Sequence, residues 1–322
     1  MREFTRPVVV ISKCLGFEAV RYDGSVIHDE SVRVFKAHVD FIPVCPEVEI
    51  GLGVPRAPVR IVQDSARRRL IQPATGADVT EKMEAFTNSF LDGLEAVDGF
   101  ILKSRSPSSG IKDVKVYARV EKGAPVSKGP GFFGGAVLAR FGHLAVEDEG
   151  RLKNLRIREH FLTKLFALAS FREVKVSGRL GELVKFHTRN KFLFMAYNQT
   201  RLRALGKTVA NRERLPAAEV IRAYEEDFYA AFARPPRRTA NINVLMHGLG
   251  YFSEQLGREE KSFFLNLLDE YRGERVPLSV PLTVLREYVV RFGDKYLASQ
   301  TFFSPFPAEL VDLADSGKGK TE

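Results

Sequence analysis

Cys14 and Cys45 are the only cysteines in a chain of 322 residues. Each lies just past an apolar, strand-like run, residues 7–11 for the first and 39–44 for the second. A third such run, 100–102, leads into Ser106-Pro107-Ser108-Ser109-Gly110. Two thiols at neighbouring strand ends can hold a metal or a cluster, or can simply fill a core, since free cysteine is among the most buried residue types. They lack the close Cys-x-x-Cys spacing of a structural zinc site. Glu47 stands two residues after Cys45 and is expected in the same cavity. A carboxylate beside a hydroxyl, that of Ser106 or Ser108, can move a proton or position a water. His28, His38 and His143 offer no ligand spacing. The chain has no Walker loop, no Gly-x-Ser-x-Gly and no His-Glu-x-x-His.

These groups meet only if the three runs are parallel strands of one sheet. All three loops then emerge at the carboxyl edge, where open α/β sheets bind ligands. The segments between them have room for helices. Residues 51–58 are too rich in Gly and Pro for regular structure and are expected to lie over the strand ends. Residues 60–62 and 69–71 suggest a small hairpin. A helix is expected from Asp78 or Thr80 to about Ala96, with Met83, Phe86, Phe90, Leu91 and Leu94 as its apolar stripe. Strands follow at 99–103 and 114–118. Residues 123–135 hold five glycines and two prolines and mark a break in composition. Beyond it the apolar period is helical, with helices expected at 151–171, 177–197, 216–233, 240–256, 259–271 and 281–299. The fold class expected is a Rossmann-like parallel-sheet α/β domain over 1–122, then an all-α domain over 151–310. Residues 123–150 would be a linker and docking segment, and 311–322 a disordered tail.

Hydrophobic residues make up 44% and charged residues 28%, enough apolar matter to build cores. No apolar run is long enough to span a membrane, and the first seven residues carry no export signal. Two cysteines make no disulfide framework, so the expected location is the cytoplasm. Charge is uneven. Residues 1–150 carry 20 Lys and Arg against 20 Asp and Glu, whereas residues 151–322 carry 29 against 20. The whole excess of +9 thus lies in the second half, which points to a polyanionic partner there or to a solvated basic surface. Its candidate phosphate-binding positions are Lys185, Arg189 and Lys191, the pair Arg237 and Arg238, and Arg201, Arg203 and Lys207. His187 and Tyr197 can stack on bases, although many aromatics here fall on the apolar stripe and belong to the core. No stable protein partner is expected.

Four segments carry a family resemblance: Ile-Ser-x-Cys-Leu-Gly at 11–16, Arg-Tyr-Asp-Gly at 21–24, Val-Cys-Pro-Glu-Val at 44–48 and Lys-x-Arg-Ser-Pro-Ser-x-Gly at 103–110. Through them residues 7–120 resemble the thiouracil desulfidases of the TudS family. Residues 183–191, 243–248 and 275–278 likewise make residues 130–310 similar to the YbgA-type helical domain. The pair resembles the RudS-type fusions, which remove sulfur from 4-thiouridine in transfer RNA. The resemblance implies a [4Fe–4S] cluster on three cysteines with one open iron that binds the thiocarbonyl sulfur. Carried over, Cys14 and Cys45 are two ligands, Glu47 transfers protons, and Ser106 or Ser108 assists. The family pattern reads Ser-Pro-Ser-Cys-Gly, and here Ser109 holds the third cysteine position. Three explanations stay open: a Cys→Ser exchange, a labile cluster on Cys14, Cys45 and Ser109, or loss of the cluster with retention of RNA binding. The expected activity is therefore desulfuration of 4-thiouridine in transfer RNA. The rivals are a non-catalytic RNA-binding protein and a desulfidase of free thiouracil or its nucleotide.

Overall fold

The computed structural model describes residues 3–63, 67–121 and 123–311. The chain divides into two units: Met1–Ala169 with Phe306–Glu322, and Ser170–Pro305. The expected tail, apart from Val311, lies outside the described residues.

The first unit runs β1 (Val8–Ser12), α1 (Glu30–Phe35), β2 (Asp40–Val44), α2 (Pro46–Glu49), β3 (Arg60–Gln63), β4 (Arg68–Gln72), β5 (Ala77–Asp78), α3 (Thr80–Asp92), β6 (Gly99–Leu102), β7 (Val114–Tyr117), β8 (Ser127–Gly129), α4 (Phe132–Phe141) and β9 (Ala145–Asp148). β2, β1, β6 and β9 form one sheet in that order, and every pair is parallel. Parallel strands buried on both faces read as continuous apolar runs. Val9, Val10, Ile11, Phe100, Ile101 and Leu102 are accordingly fully buried. A second sheet, in the order β5-β4-β3-β7-β8, contains the expected hairpin as β3 and β4. α3 closes over it, with Met83 packed in a cluster with Ile61, Leu70, Val79, Val114 and Val116. α3 stops at Asp92, before Gly93, so Leu94 lies beyond the helix.

Residues 123–150 are not a linker. β8 pairs with β7 at the edge of the second sheet, and β9 is the fourth strand of the parallel sheet. The glycines there allow close backbone approach rather than flexibility. β9 is hard to see in the sequence because its apolar part, Ala145-Val146, is short and runs straight into Glu147-Asp148. The boundary between units accordingly falls at 169/170 instead of in the region 123–150.

The helices continue as α5 (Leu155–Ser177), α6 (Leu180–Tyr197), α7 (Gln199–Ala210), α8 (Ala217–Ala231), α9 (Arg238–Gly250), α10 (Arg258–Arg272), α11 (Ser279–Phe292) and α12 (Lys295–Ser299). α7 has no counterpart among the expected helices. Asn198, whose side chain accepts from Arg201 N at 3.1 Å, starts it immediately after α6 ends. The expected helix at 281–299 is two, because Gly293 adopts φ +65° and ends α11. Aromatic rings fill the core of the second unit, with Tyr224, Phe228 and Phe194 fully buried. Among the described residues no helix is long and apolar enough to cross a membrane. The fold is an α/β unit with a parallel sheet, followed by a helical unit.

Candidate active site

Three loops leave the carboxyl ends of β1, β2 and β6, and hydrogen bonds tie them together. Lys13 N donates to Val44 O at 2.8 Å, which joins the first loop to the second. Lys103 N donates to Ser12 Oγ at 2.8 Å, which joins the third to the first. Cys45 stands at the N-cap position of the short helix α2 with no capping bond from its side chain, and Pro46 at the first helical position suits the helix geometry. One turn of helix is enough to aim Glu47 back toward the third loop.

The serine loop is clamped from behind. Gly134 N donates to Ser108 O at 2.9 Å, Phe132 N to Pro107 O at 3.2 Å and Gly131 N to Gly110 O at 2.7 Å. The start of α4 thus spends its free N–H groups on this loop. A Cβ on Gly134 would stand 2.4 Å from Gly110 O and 2.5 Å from Ser109 O, and one on Gly131 would stand 2.4 Å from Ser108 O. Glycine alone permits that approach.

The side chains converge. Glu47 Oε1 accepts from Ser108 Oγ at 2.6 Å and from Ser106 Oγ at 3.4 Å. The Ser106 and Ser108 hydroxyls lie 3.0 Å apart, and those of Ser108 and Ser109 3.3 Å apart. On the other side of the carboxylate, Cys45 Sγ lies 3.5 Å from Glu47 Oε2. Burial pushes the Cys45 thiol up to about 11, and the Glu47 charge adds to this. Burial likewise pushes the Cys14 thiol up to about 12, with Cys45 and then Glu47 adding to it, while Lys103 acts the other way. Cys45, Glu47, Ser106, Ser108 and Ser109 therefore form one largely buried cluster, and Cys14 is buried at the same sheet edge. Ser108 is 0% exposed, whereas Ser106 is half-buried and lies nearer to solvent.

The donor chemistry of this pocket departs from that of a [4Fe–4S] site. Such clusters are held by cysteine thiolates, and the donors here are two thiols and one alcohol, whose proton is far harder to remove. Among the described residues no group of three or more His, Cys, Asp or Glu side chains is placed to hold a metal ion. The residues present do not fit a three-thiolate cluster. What they can do unaided is hold a polar ligand against a carboxylate and two hydroxyls.

The sequence did not single out two contributors. Arg56, in the Gly- and Pro-rich loop, reaches the same pocket, with Nη2 3.7 Å from Cys45 Sγ and 3.9 Å from Glu47 Oε2. Glu149 accepts from Ser104 N at 2.7 Å and pairs with Lys103, fixing the entry to the serine loop. A lone arginine among glycines and prolines was the only sign of the first, and nothing in the local pattern marked the second.

In the second unit the candidate RNA-facing residues separate. Lys185, Arg189, Lys191 and Arg237 are exposed. His187 is buried, with Nδ1 3.1 Å from the Tyr224 hydroxyl, and burial holds its imidazole at about 4. It is a neutral core residue, and a base cannot stack on it. Tyr197 packs on Phe232, ring centroids 4.6 Å apart. Arg238 is the first residue of α9, ion-paired with Glu274 and lying over the Tyr271 ring.

A parallel α/β sheet with this pocket at its carboxyl edge defines a class that comparison with known proteins makes specific. The chain belongs to the 2-thiouracil desulfurase family, whose model matches residues 9–149. Residues 191–307 match a second model, described as a protein of unknown function, DUF1722. YbgA, an uncharacterized protein of Escherichia coli (strain K12), is 29% identical over 164 residues, covering 50% of this chain and 96% of its own. YbbK, an uncharacterized protein of Bacillus subtilis (strain 168), is 33% identical over 110 residues, covering 32% of this chain and 73% of its own. A solved structure titled [4Fe-4S]-dependent thiouracil desulfidase TudS is 27% identical and covers 46% of this chain and 93% of its own, with a TM-score of 0.37.

Proposed function

We propose that the first unit removes sulfur from a thiocarbonyl pyrimidine by hydrolysis, and that its substrate is 4-thiouridine in transfer RNA held by the basic second half. The observation that carries the chemistry is Glu47, with one oxygen 2.6 Å from Ser108 Oγ and 3.4 Å from Ser106 Oγ in a largely buried pocket. Water adds to the thiocarbonyl carbon as Glu47 takes its proton. A C–O bond forms, the C–S bond breaks, and sulfur leaves as hydrosulfide, which regains the proton. The sum is thiocarbonyl plus water giving carbonyl plus hydrogen sulfide, with no change of oxidation state. Ser106, the more accessible hydroxyl, hydrogen-bonds the substrate, and Ser108 holds Glu47 in place. Support for RNA as substrate is the +9 excess confined to residues 151–322, because a free base needs no such surface.

Ser109 favours a second reading, a non-catalytic RNA-binding protein. The two are separated by assaying the full chain, purified without oxygen, on 2-thiouracil, on 4-thiouridine and on transfer RNA containing 4-thiouridine. Sulfide and uridine should appear fastest from the RNA. No sulfide from any of the three would leave the RNA-binding reading. Glu47→Gln should lower turnover about a hundredfold, the scale of one general base, while the protein remains folded by circular dichroism.

A further inference from the structure

Arg56 has no assigned role in this chemistry, yet its geometry is specific. Its side chain is 6% exposed although it sits in an irregular loop. Nη1 donates to Val20 O at 2.9 Å and to Gly53 O at 3.1 Å. Its own backbone N–H is fixed to Tyr22 O at 2.8 Å. Those partners are neutral carbonyls, so they hold the guanidinium without cancelling its charge. Nη2, at the other end of the planar fork, faces Cys45 Sγ at 3.7 Å and Glu47 Oε2 at 3.9 Å. The Glu47 side chain is itself 12% exposed, and in so dry a place the attraction is little screened.

A carboxylate has two oxygens, and their division of labour here is clean. Oε1 faces the serines and Oε2 faces Cys45 and Arg56. The serine hydroxyls can rotate to satisfy several arrangements, so they do not fix which way the carboxylate turns. A guanidinium pinned to two backbone carbonyls does. We propose that Arg56 is a positioning residue: it holds Glu47 so that one oxygen serves the serine hydroxyls while the other faces Cys45. The inference rests on the desulfurase reading for its consequence in catalysis, but its geometric content stands apart from it.

The test uses the full chain with Arg56→Gln and Arg56→Lys, measuring sulfide release from 2-thiouracil and thiolated transfer RNA, together with crystal structures. Arg56→Gln should lower kcat about thirtyfold with KM within about twofold, the signature of a lost transition-state contribution. Arg56→Lys keeps the charge but lacks the fork, and should lose only about threefold to tenfold. In the Arg56→Gln crystal, Glu47 should turn so that Oε1 leaves hydrogen-bond distance of Ser108 Oγ. An unchanged kcat, a raised KM with unchanged kcat, or an unmoved Glu47 would overturn the proposal. Should Arg56→Gln not fold, Arg56→Lys carries the same test, and wild-type kcat with Glu47 unmoved counts against it. If the parent chain releases no sulfide from either substrate, the desulfurase reading fails, and the crystal alone decides whether Arg56 orients Glu47.

Discussion

Ser106 and Ser108 look interchangeable in the sequence, two residues apart and both next to Pro107. Burial separates them. Ser108 is fully enclosed and donates to Glu47 at 2.6 Å, while Ser106 is half-buried and 3.4 Å away. Ser108→Ala removes the closer partner of a buried carboxylate and should cost about 1–2 kcal/mol of stability, read as a lowered midpoint in urea. Ser106→Ala should leave the midpoint nearly unchanged and lower kcat for sulfide release. The reverse pattern would exchange the two roles. Ser109 is a matter of donor chemistry. Ser109→Cys adds a third thiol at the sheet edge that carries Cys14 and Cys45, and thiols lose their proton much more readily than alcohols. After anaerobic reconstitution, that variant should bind iron and sulfide in amounts well above those of the parent, measured by metal analysis and visible absorbance. Equal uptake by the two would remove residue 109 from any ligand set.

At the scale of elements, the site depends on a segment that the sequence marks as a linker and docking segment. Gly131 and Gly134 bring the start of α4 against the serine loop, and no side chain fits between them. Gly134→Ala gains helix propensity worth roughly 1 kcal/mol. Against this, its Cβ meets two carbonyl oxygens at 2.4 and 2.5 Å, and such overpacking costs roughly 1–3 kcal/mol. The clash should win, and the serine loop should shift. Gly135→Ala is the control, because its Cβ would meet nothing closer than Pro130 at 3.4 Å. We expect a lower thermal midpoint and a loss of sulfide release of about tenfold for Gly134→Ala, against a neutral or slightly raised midpoint for Gly135→Ala. Equal behaviour of the two would show that the loop does not need the clamp.

For the whole molecule, the charge division makes a prediction about salt. If residues 151–322 hold RNA through phosphates, affinity of the full chain for transfer RNA should fall steeply as salt rises, because neutralising phosphates releases counterions. Changing Lys185, Arg189 and Lys191 together to Ala should weaken binding and flatten the salt slope by up to about 3, near ~0.9 for each phosphate left unneutralised. His187→Ala should leave the slope alone and lower stability, since the ring packs beside Phe194 and Tyr224 inside the unit. A filter-binding or fluorescence titration across salt concentrations measures both. An unchanged slope in the triple variant would place the RNA elsewhere or nowhere.

Apolar runs at 7–11, 39–44 and 99–103 were enough to expect three strands, and for β1 and β6 the reason is burial on both faces, which leaves a continuous signature. That Cys14, Glu47 and Ser106 lie on one edge followed only on the condition that these strands are parallel in one sheet, which the pairing of β1 with β2 and with β6 supplies. The helical period of the second half and its excess charge were equally plain. Local pattern could not reveal β9, because its apolar part is two residues long and its stability comes from pairing with β6. Nor could it show that Arg56 is buried, that Ser108 rather than Ser106 is enclosed, or that His187 faces inward. Those facts depend on which surfaces are covered by segments distant in sequence, and only the tertiary structure decides that.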